Sequence, residues 1–165
     1  MPVEIERKFL VHAARLPTAH LGAGARFAQG YLSQRPTVRV RLATQPGADD
    51  RAWLTVKGPG GLQRAEYEYA IPPDHAREML GLCAVVIDKT RHHIPVGAHV
   101  WDVDGFHGRF EGLWLAEVEL RAEGEDFVRP PWLAEEVTDD PRYSNAALAQ
   151  SVGVFVRNGR LHWPT

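Results

Sequence analysis

The sequence predicts an α+β fold that is mainly antiparallel β: an eight-stranded closed β-barrel, a tunnel with a charged lumen, covered by a few helices. Three observations lead there. Apolar and charged residues alternate with a period of two in segment after segment, the mark of strands with chemically different faces. The polar faces carry charge in same-sign pairs two residues apart, with few of the neutral Thr, Ser, Gln and Asn residues that a solvated face mixes in. Helical patterning covers only about a quarter of the chain, too little to blanket one side of an open sheet. Closure turns the charged faces inward and lets the apolar faces pack outward against helices.

The elements follow in order. Val3-Glu4-Ile5-Glu6-Arg7-Lys8-Phe9 is a strand with Glu4, Glu6 and Lys8 on one face. The two carboxylates lie roughly 7 Å apart along it. At that spacing they repel by about 2 kcal/mol at an effective dielectric near 20, so an enclosed face calls for a cation. His12 to Leu21, with Pro17, predicts a short helix or turn before a loop at Gly22 and Gly24. Phe27 to Ser33 is the second strand, with Gly30 predicting a bulge or bend. Thr37 to Leu42 sets Arg39 and Arg41 opposite Val38, Val40 and Leu42. After a polar turn at Gln45 to Asp50, the strand Ala52 to Lys57 places Thr55 with Lys57. A hairpin loop at Gly58-Pro59-Gly60-Gly61 follows.

Arg64 to Tyr69 puts Arg64, Glu66 and Glu68 on one face and Ala65, Tyr67 and Tyr69 on the other. Pro72-Pro73-Asp74 opens a helix over His75 to Leu80, with Asp74 as its cap and Gly81 at its end. Val85 to Ile94 carries Lys89 and Arg91 on one face. Val100 to Phe106 pairs Asp102 with Asp104. Leu115 to Leu120 pairs Glu117 with Glu119, with Leu115 in phase with them. The tail differs: Pro130-Pro131-Trp132 breaks the strand pattern, Ser144 or Asn145 caps a short helix at Ala146 to Ala149, and Val152 to Val156 is a last apolar segment.

Composition bounds the function. At 165 residues the chain suits one domain, 1–165, with 130–165 as its tail. Apolar content of 44% and charged content of 24% are those of a soluble globular protein. A net charge of -2 argues against nucleic acid as partner. Cys83 is the single cysteine, which excludes an internal disulfide and a cysteine-rich zinc site. Beside Gly81 it reads as buried and inert. The start shows no signal-peptide pattern and no stretch reaches the roughly 18 apolar residues of a membrane span, so the expected setting is the cytoplasm and no membrane partner is expected. The histidines show no metal spacing; His92 and His93 fall on opposite strand faces. Arg64 reads equally as a rim charge, Asp102 as a surface residue near a tunnel end, Tyr31 as a packed aromatic, and the five tryptophans as barrel cover.

The in-phase charges define the chemistry. Lys8, Arg39, Arg41, Lys57, Lys89 and Arg91 supply arginine forks and lysine point charges suited to phosphate oxygens. Glu4, Glu6, Glu66, Glu68, Asp104, Glu117 and Glu119 supply the oxygen donors that a hard divalent cation prefers. Carboxylates with this many cations point to a metal-bound polyphosphate.

The same residues, in order, resemble the CYTH superfamily, the triphosphate tunnel metalloenzymes. Glu4-x-Glu6-x-Lys8 is similar to its ExExK signature. Gln29 to Leu32 (QGYL), Arg39 to Arg41 (RVR), Thr55 to Gly58 (TVKG), Arg64 to Tyr69, Lys89 to Arg91 (KTR), Val103 to Phe106 (VDGF) and Ala116 to Leu120 (AEVEL) follow in the family's sequence. The resemblance implies one CYTH domain, an eight-stranded tunnel that takes a triphosphate end-on with Mg²⁺ or Mn²⁺. It implies Glu4, Glu6 and Glu119 as ligands to one metal. Glu66, Glu68, Asp104 and Glu117 would hold a second metal or orient water. Asp104 and Glu117 are thus metal candidates. Lys8, Glu66 and Glu68 are the catalytic candidates, and the six cations clamp phosphates. The implied activity is hydrolysis of the terminal phosphate of a triphosphate, first of all inorganic tripolyphosphate, by a monomer or homodimer. The alternatives are a class IV adenylate cyclase, a thiamine triphosphatase and a non-catalytic polyphosphate-binding module. The tail helix near Tyr143 to Gln150 resembles the family's mouth-closing helix.

Overall fold

The computed structural model describes residues 3–60 and 62–164; Gly61 of the expected hairpin loop lies outside them. Its strands are β1 (Val3–Val11), β2 (Ala25–Gln34), β3 (Thr37–Thr44), β4 (Arg51–Lys57), β5 (Gln63–Ile71), β6 (Val86–Val96), β7 (His99–Phe106) and β8 (Trp114–Glu119). They pair antiparallel in the order β5-β4-β3-β2-β6-β7-β8-β1, and β1 returns to β5 to close an eight-stranded barrel. The closing seam is short, with Val3, Glu4 and Ile5 facing Ala65, Arg64 and Gln63. Further along, that edge of β1 is taken by β9 (Leu133–Glu136).

Alternation puts the apolar faces outside. Phe9, Trp101, Val103, Ala116 and Val118 from β1, β7 and β8 pack with Leu16 and Trp132 of the covering loops. The outer side chains of β3 and β4, Val40, Leu42 and Ala52, pack against Ala76, Met79 and Leu80 of α1 (Pro73–Leu80). α1 lies in the β5–β6 connection, and the chain re-enters the barrel beside β2 rather than β5.

At one end the inward-facing columns turn apolar. The phase that gives Glu4, Glu6 and Lys8 continues to Leu10. Lys89 is preceded by Ile87, Asp104 followed by Phe106, and Glu117 preceded by Leu115. These four buried residues form one cluster with Tyr143, Leu148 and Leu161 of the tail. The tail contributes α2 (Asn145–Leu148) and the hairpin β10 (Phe155–Arg157)–β11 (Arg160–His162). The barrel is therefore stoppered at that end. Leu115, in phase with the glutamates, is part of the stopper.

Several local expectations change. The described helices are α1, α2 and four single turns of 3-10 helix, less than a quarter of the chain. Asp74 does not cap α1: Pro72 is the cap, Pro73 is the first helical residue, and Asp74 accepts from Arg77 Nη1 within the helix at 2.9 Å. Gly30 marks a close approach, since a Cβ there would sit 2.5 Å from Cys83 Sγ; the register shift in β2 comes later, between Tyr31 and Ser33. Cys83 is half-buried rather than buried. β9 and β11 were not anticipated. Ser144, rather than Asn145, caps α2, its Oγ accepting from Ala147 N at 3.0 Å. No described helix is long and apolar enough to cross a membrane.

Candidate functional site

The barrel encloses a cavity of about 740 Å³. Glu4, Glu6, Lys8, Arg39, Arg41, Lys57, Glu66, Glu68, Lys89, Arg91, Glu117 and Glu119 all line it, joined by Tyr31, Arg64, Asp102 and Asn145. Strand order sorts these charges by sign. Adjacent strands β3, β2 and β6 present Arg39, Arg41, Lys89 and Arg91. Adjacent strands β8, β1 and β5 present Glu117, Glu119, Glu4, Glu6, Glu66 and Glu68. The lumen has a positive arc and a negative arc, with β4 and β7 at the borders. Lys8 and Arg64 are the exceptions, cations on the acidic side, 3.3 Å from Glu117 and 2.8 Å from Glu4.

Within the negative arc, like charges crowd. Glu6 and Glu119 are directly opposed across the β1–β8 ladder, and Lys8 opposes Glu117. Burial, with Glu117 and Glu4 adding to it, pushes the Glu6 carboxyl up to about 8. Burial and a hydrogen bond to Glu4 push Glu66 up to about 7. Burial acts the same way on Glu4, but Glu66, Lys57 and Arg64 outweigh it and hold Glu4 at about 2. Lys57 Nζ and Arg64 Nε both donate to Glu4 Oε1, at 2.9 and 2.8 Å. Arg64 therefore belongs to the site. Burial of Glu117 is outweighed by Lys8 and Arg91, so its carboxyl sits well below the usual range.

The positive arc is held from behind. Asp104 is not on the cavity wall, contrary to its expected place beside a metal. It is buried, with Oδ1 accepting from Arg91 Nε at 2.7 Å and Oδ2 from Lys89 Nζ at 2.7 Å and Arg91 Nη2 at 2.9 Å. Both oxygens are occupied by cations, which leaves none free for a metal. Burial would raise its pKa, but Arg91 and Lys89 outweigh it and keep the carboxylate ionised. Burial draws Arg41 down to about 9, with Arg39 and Arg91 adding to it. Burial also draws Lys89 down to about 7, against Asp104 and helped by Arg91 and Arg41. These are four cations whose mutual repulsion an incoming polyanion would relieve.

The open end carries Glu119 and Glu68, both exposed, and the pair of exposed His93 with half-buried Asp102. His93 Nδ1 lies 2.8 Å from Asp102, which in turn approaches Arg91 at 3.3 Å. Asp102 thus stands near a tunnel end, as expected, and also lines the cavity there. Tyr31 reaches the cavity as well as packing on the stopper. Three neutral residues outside the charge count brace these groups, Asn145 from the cavity wall and Thr55 and Gln29 buried behind it. Thr55 Oγ1 accepts from Arg39 Nη2 at 3.2 Å and donates to Glu68 Oε2 at 3.0 Å. Gln29 and Asn145 link Arg41 to Lys89. Gln29 is in phase with Phe27 and Tyr31 and directly opposite Arg41, a signal available only once β2 and β3 are paired.

The CYTH domain family model matches residues 2–148. The chain belongs to the CYTH family. Among similar proteins, an inorganic triphosphatase of Acetivibrio thermocellus is 41% identical over 156 residues, covering 92% of this chain and 96% of that one. An inorganic triphosphatase of Nitrosomonas europaea is 40% identical over 155 residues, covering 90% and 98%. The crystal structure of the inorganic triphosphatase NE1496 superposes with a TM-score of 0.61 at 32% identity, covering 92% of this chain and 97% of that one.

A divalent cation, which CYTH membership implies, can be tested against the donors present. Among the described residues, no three carboxylate or imidazole groups converge as a ready-made cage. Mg²⁺ rarely has one; it takes one or two carboxylates and completes its shell with water and substrate phosphate. Glu6 and Glu119 offer that pair, side by side, without a cationic hydrogen-bond partner among the described residues. The donor set fits a hard divalent ion.

Proposed function

We propose that this CYTH protein hydrolyses the terminal phosphoanhydride of a triphosphate with a divalent metal, and that its substrate is inorganic tripolyphosphate. The observation that carries this is the segregated lumen: a positive arc for a linear polyanion facing a negative arc for its metal, in a channel stoppered at one end. A linear triphosphate enters end-first, with a terminal phosphate toward the stopper. Arg39, Arg41, Lys89 and Arg91 bind its oxygens, and Asp104 holds Lys89 and Arg91 in place. Lys57, tied to Glu4 at the boundary between the arcs, and Lys8, tied to Glu117 within the acidic arc, bind phosphate.

Glu6 and Glu119, with Glu4, hold the metal, which is Mg²⁺ or Mn²⁺ in this reading. When bound, the ion supplies charge neutralisation of the transferring and leaving phosphates. Glu117 and Glu66 lie beside this set. Glu66 has the elevated carboxyl pKa that suits proton transfer near neutral pH. We assign it to accept the proton of the attacking water, with Glu68 orienting that water from the mouth. The water oxygen bonds to the terminal phosphorus nearer the mouth, the bridging P–O bond on its far side breaks, and orthophosphate and pyrophosphate leave. Lys8 offsets charge on the oxygens in flight. The lone half-buried thiol of Cys83 suits a reducing cytoplasm.

Incubation with tripolyphosphate, ATP and thiamine triphosphate, each with Mg²⁺ or Mn²⁺, tests the assignment. Orthophosphate released fastest from tripolyphosphate is the expected outcome. Cyclic AMP and pyrophosphate from ATP would replace it with a cyclase. Tight binding without turnover would leave a polyphosphate-binding module.

A further inference from the structure

We propose that Asn145, carried on the tail, is a positioning residue for the anion clamp: with Gln29 it forms a neutral amide bridge that fixes Lys89 and Arg41. The inference rests on the proposed polyphosphate site and goes beyond it, because it makes the tail part of that site.

The chemistry of the donors fixes the direction of the bridge. Lysine and arginine heads have donors only. The Asn145 atom 3.0 Å from Lys89 Nζ is therefore Oδ1, and the Gln29 atom 2.9 Å from Arg41 Nε is Oε1. Gln29 Nε2 is left to donate to Asn145 Oδ1, at 3.0 Å. One carbonyl oxygen thus accepts from both Lys89 and Gln29. The chain of bonds is complete only in this orientation.

Gln29 is 0% exposed, Lys89 1% and Asn145 9%. Groups so enclosed have few alternative partners, and an unmet donor there is costly. Arg41 has its Nε engaged by Gln29, so its terminal nitrogens remain for the cavity it lines. Lys89 is held by Asp104 on one side and Asn145 on the other. A carboxylate in place of either amide would hold the same heads but cancel a charge that the polyanion needs. Neutral amides orient the cations and leave the arc positive.

Asn145 reaches this place because Ser144 caps α2 and Leu148 and Tyr143 anchor the tail in the stopper. Lys8 Nζ donating to Tyr143 O at 3.3 Å and Gln34 Nε2 donating to Ala146 O at 3.4 Å tie the same segment to β1 and β2.

The test uses the full chain and tripolyphosphate, reading steady-state rates and, separately, calorimetric binding of tripolyphosphate without added metal. Asn145→Ala is expected to raise KM and weaken binding by about tenfold, as for a lost buried hydrogen bond, with kcat changed by less than about threefold. Asn145→Asp, which keeps the shape, is expected to weaken binding further by adding a negative charge. In a Lys89→Met background, Asn145→Ala is expected to cost much less than in the native chain, because the residue acts through Lys89. Thermal melts separate positioning from folding: a loss of binding that merely follows the unfolded fraction overturns the proposal. Native-like binding in both Asn145 variants, or full additivity with Lys89→Met, also overturns it. If the native chain neither binds nor hydrolyses tripolyphosphate, the proposed function falls first and this inference with it.

Discussion

Glu6 and Glu119 face each other across the β1–β8 ladder, two carboxylates on adjacent strands directed to the same side of the barrel. Like charges directly opposed in a sheet destabilise it unless a cation or a proton intervenes. In the metal-free chain the proton intervenes, since burial and the carboxylates of Glu117 and Glu4 lift Glu6 to about 8. A bound divalent ion would do the same work and release that proton.

A pH dependence of stability follows. The ordinary value for Glu6 is 4.5 and its folded value is about 8. Between them the folded chain keeps a proton that the unfolded chain has lost, so stability falls as pH rises through this window. Glu66, raised to about 7, acts in the same direction. Glu4, held at about 2, contributes stability that is lost only as pH falls below its ordinary 4.5. Thermal melts of the metal-free protein should therefore decline between about pH 5 and pH 7, above which Lys89, drawn down to about 7, opposes Glu6. The decline should be shallower with Mg²⁺ or Mn²⁺ present and in Glu6→Gln.

Removing a cavity-facing cation separates affinity from folding. Arg41→Ala takes away a charged donor aimed at the cavity while leaving Asp104 satisfied by Lys89 and Arg91. The expected loss is about 2 kcal/mol, or roughly thirtyfold in kcat/KM for tripolyphosphate. Calorimetric melts should show a smaller loss, from the Gln29 Oε1 left without its donor.

Asp104→Asn should do the reverse. It strips the buried counter-ion from Lys89 and Arg91 and leaves their charges uncompensated. A destabilisation of about 3 kcal/mol is expected, as for breaking one side of a buried ion pair. Urea unfolding would measure it, and a near-native midpoint would mean that the anion clamp is held otherwise.

Gly30→Ala tests the packing of α1's far end. An added Cβ would meet Cys83 Sγ at 2.5 Å and Cys83 Cβ at 2.8 Å. A loss of about 1–3 kcal/mol is expected from overpacking, partly recovered by Cys83→Ala.

The sequence revealed much of this site because charge on a strand face is hard to hide. The alternation through Glu4, Glu6 and Lys8, or Arg39 and Arg41, survives any strand pairing. What it could not reveal depends on which strands become neighbours. The arcs arise because β2 lies between β3 and β6, a consequence of the β5–β6 connection that carries α1. Gln29 and Asn145 are neutral, 116 residues apart, and meaningful only once the tail folds into the barrel end. Asp104 looked like its glutamate neighbours in sequence, and only three-dimensional placement shows its oxygens consumed by Lys89 and Arg91. β9 is four residues long and follows two prolines, too short to show a period.

Hydrolysis as proposed depends on the acidic arc holding a metal that the basic arc's substrate needs. Orthophosphate release from tripolyphosphate, by the native chain and Glu6→Gln across a titration of Mg²⁺ and of Mn²⁺, measures this directly. Metal-dependent release by the native chain, abolished by chelation, is expected. In Glu6→Gln release is expected to fall at least about a hundredfold, with the half-saturating metal concentration shifted upward. Equal rates in the two proteins at every metal concentration, or native release that persists in chelator, would contradict that dependence.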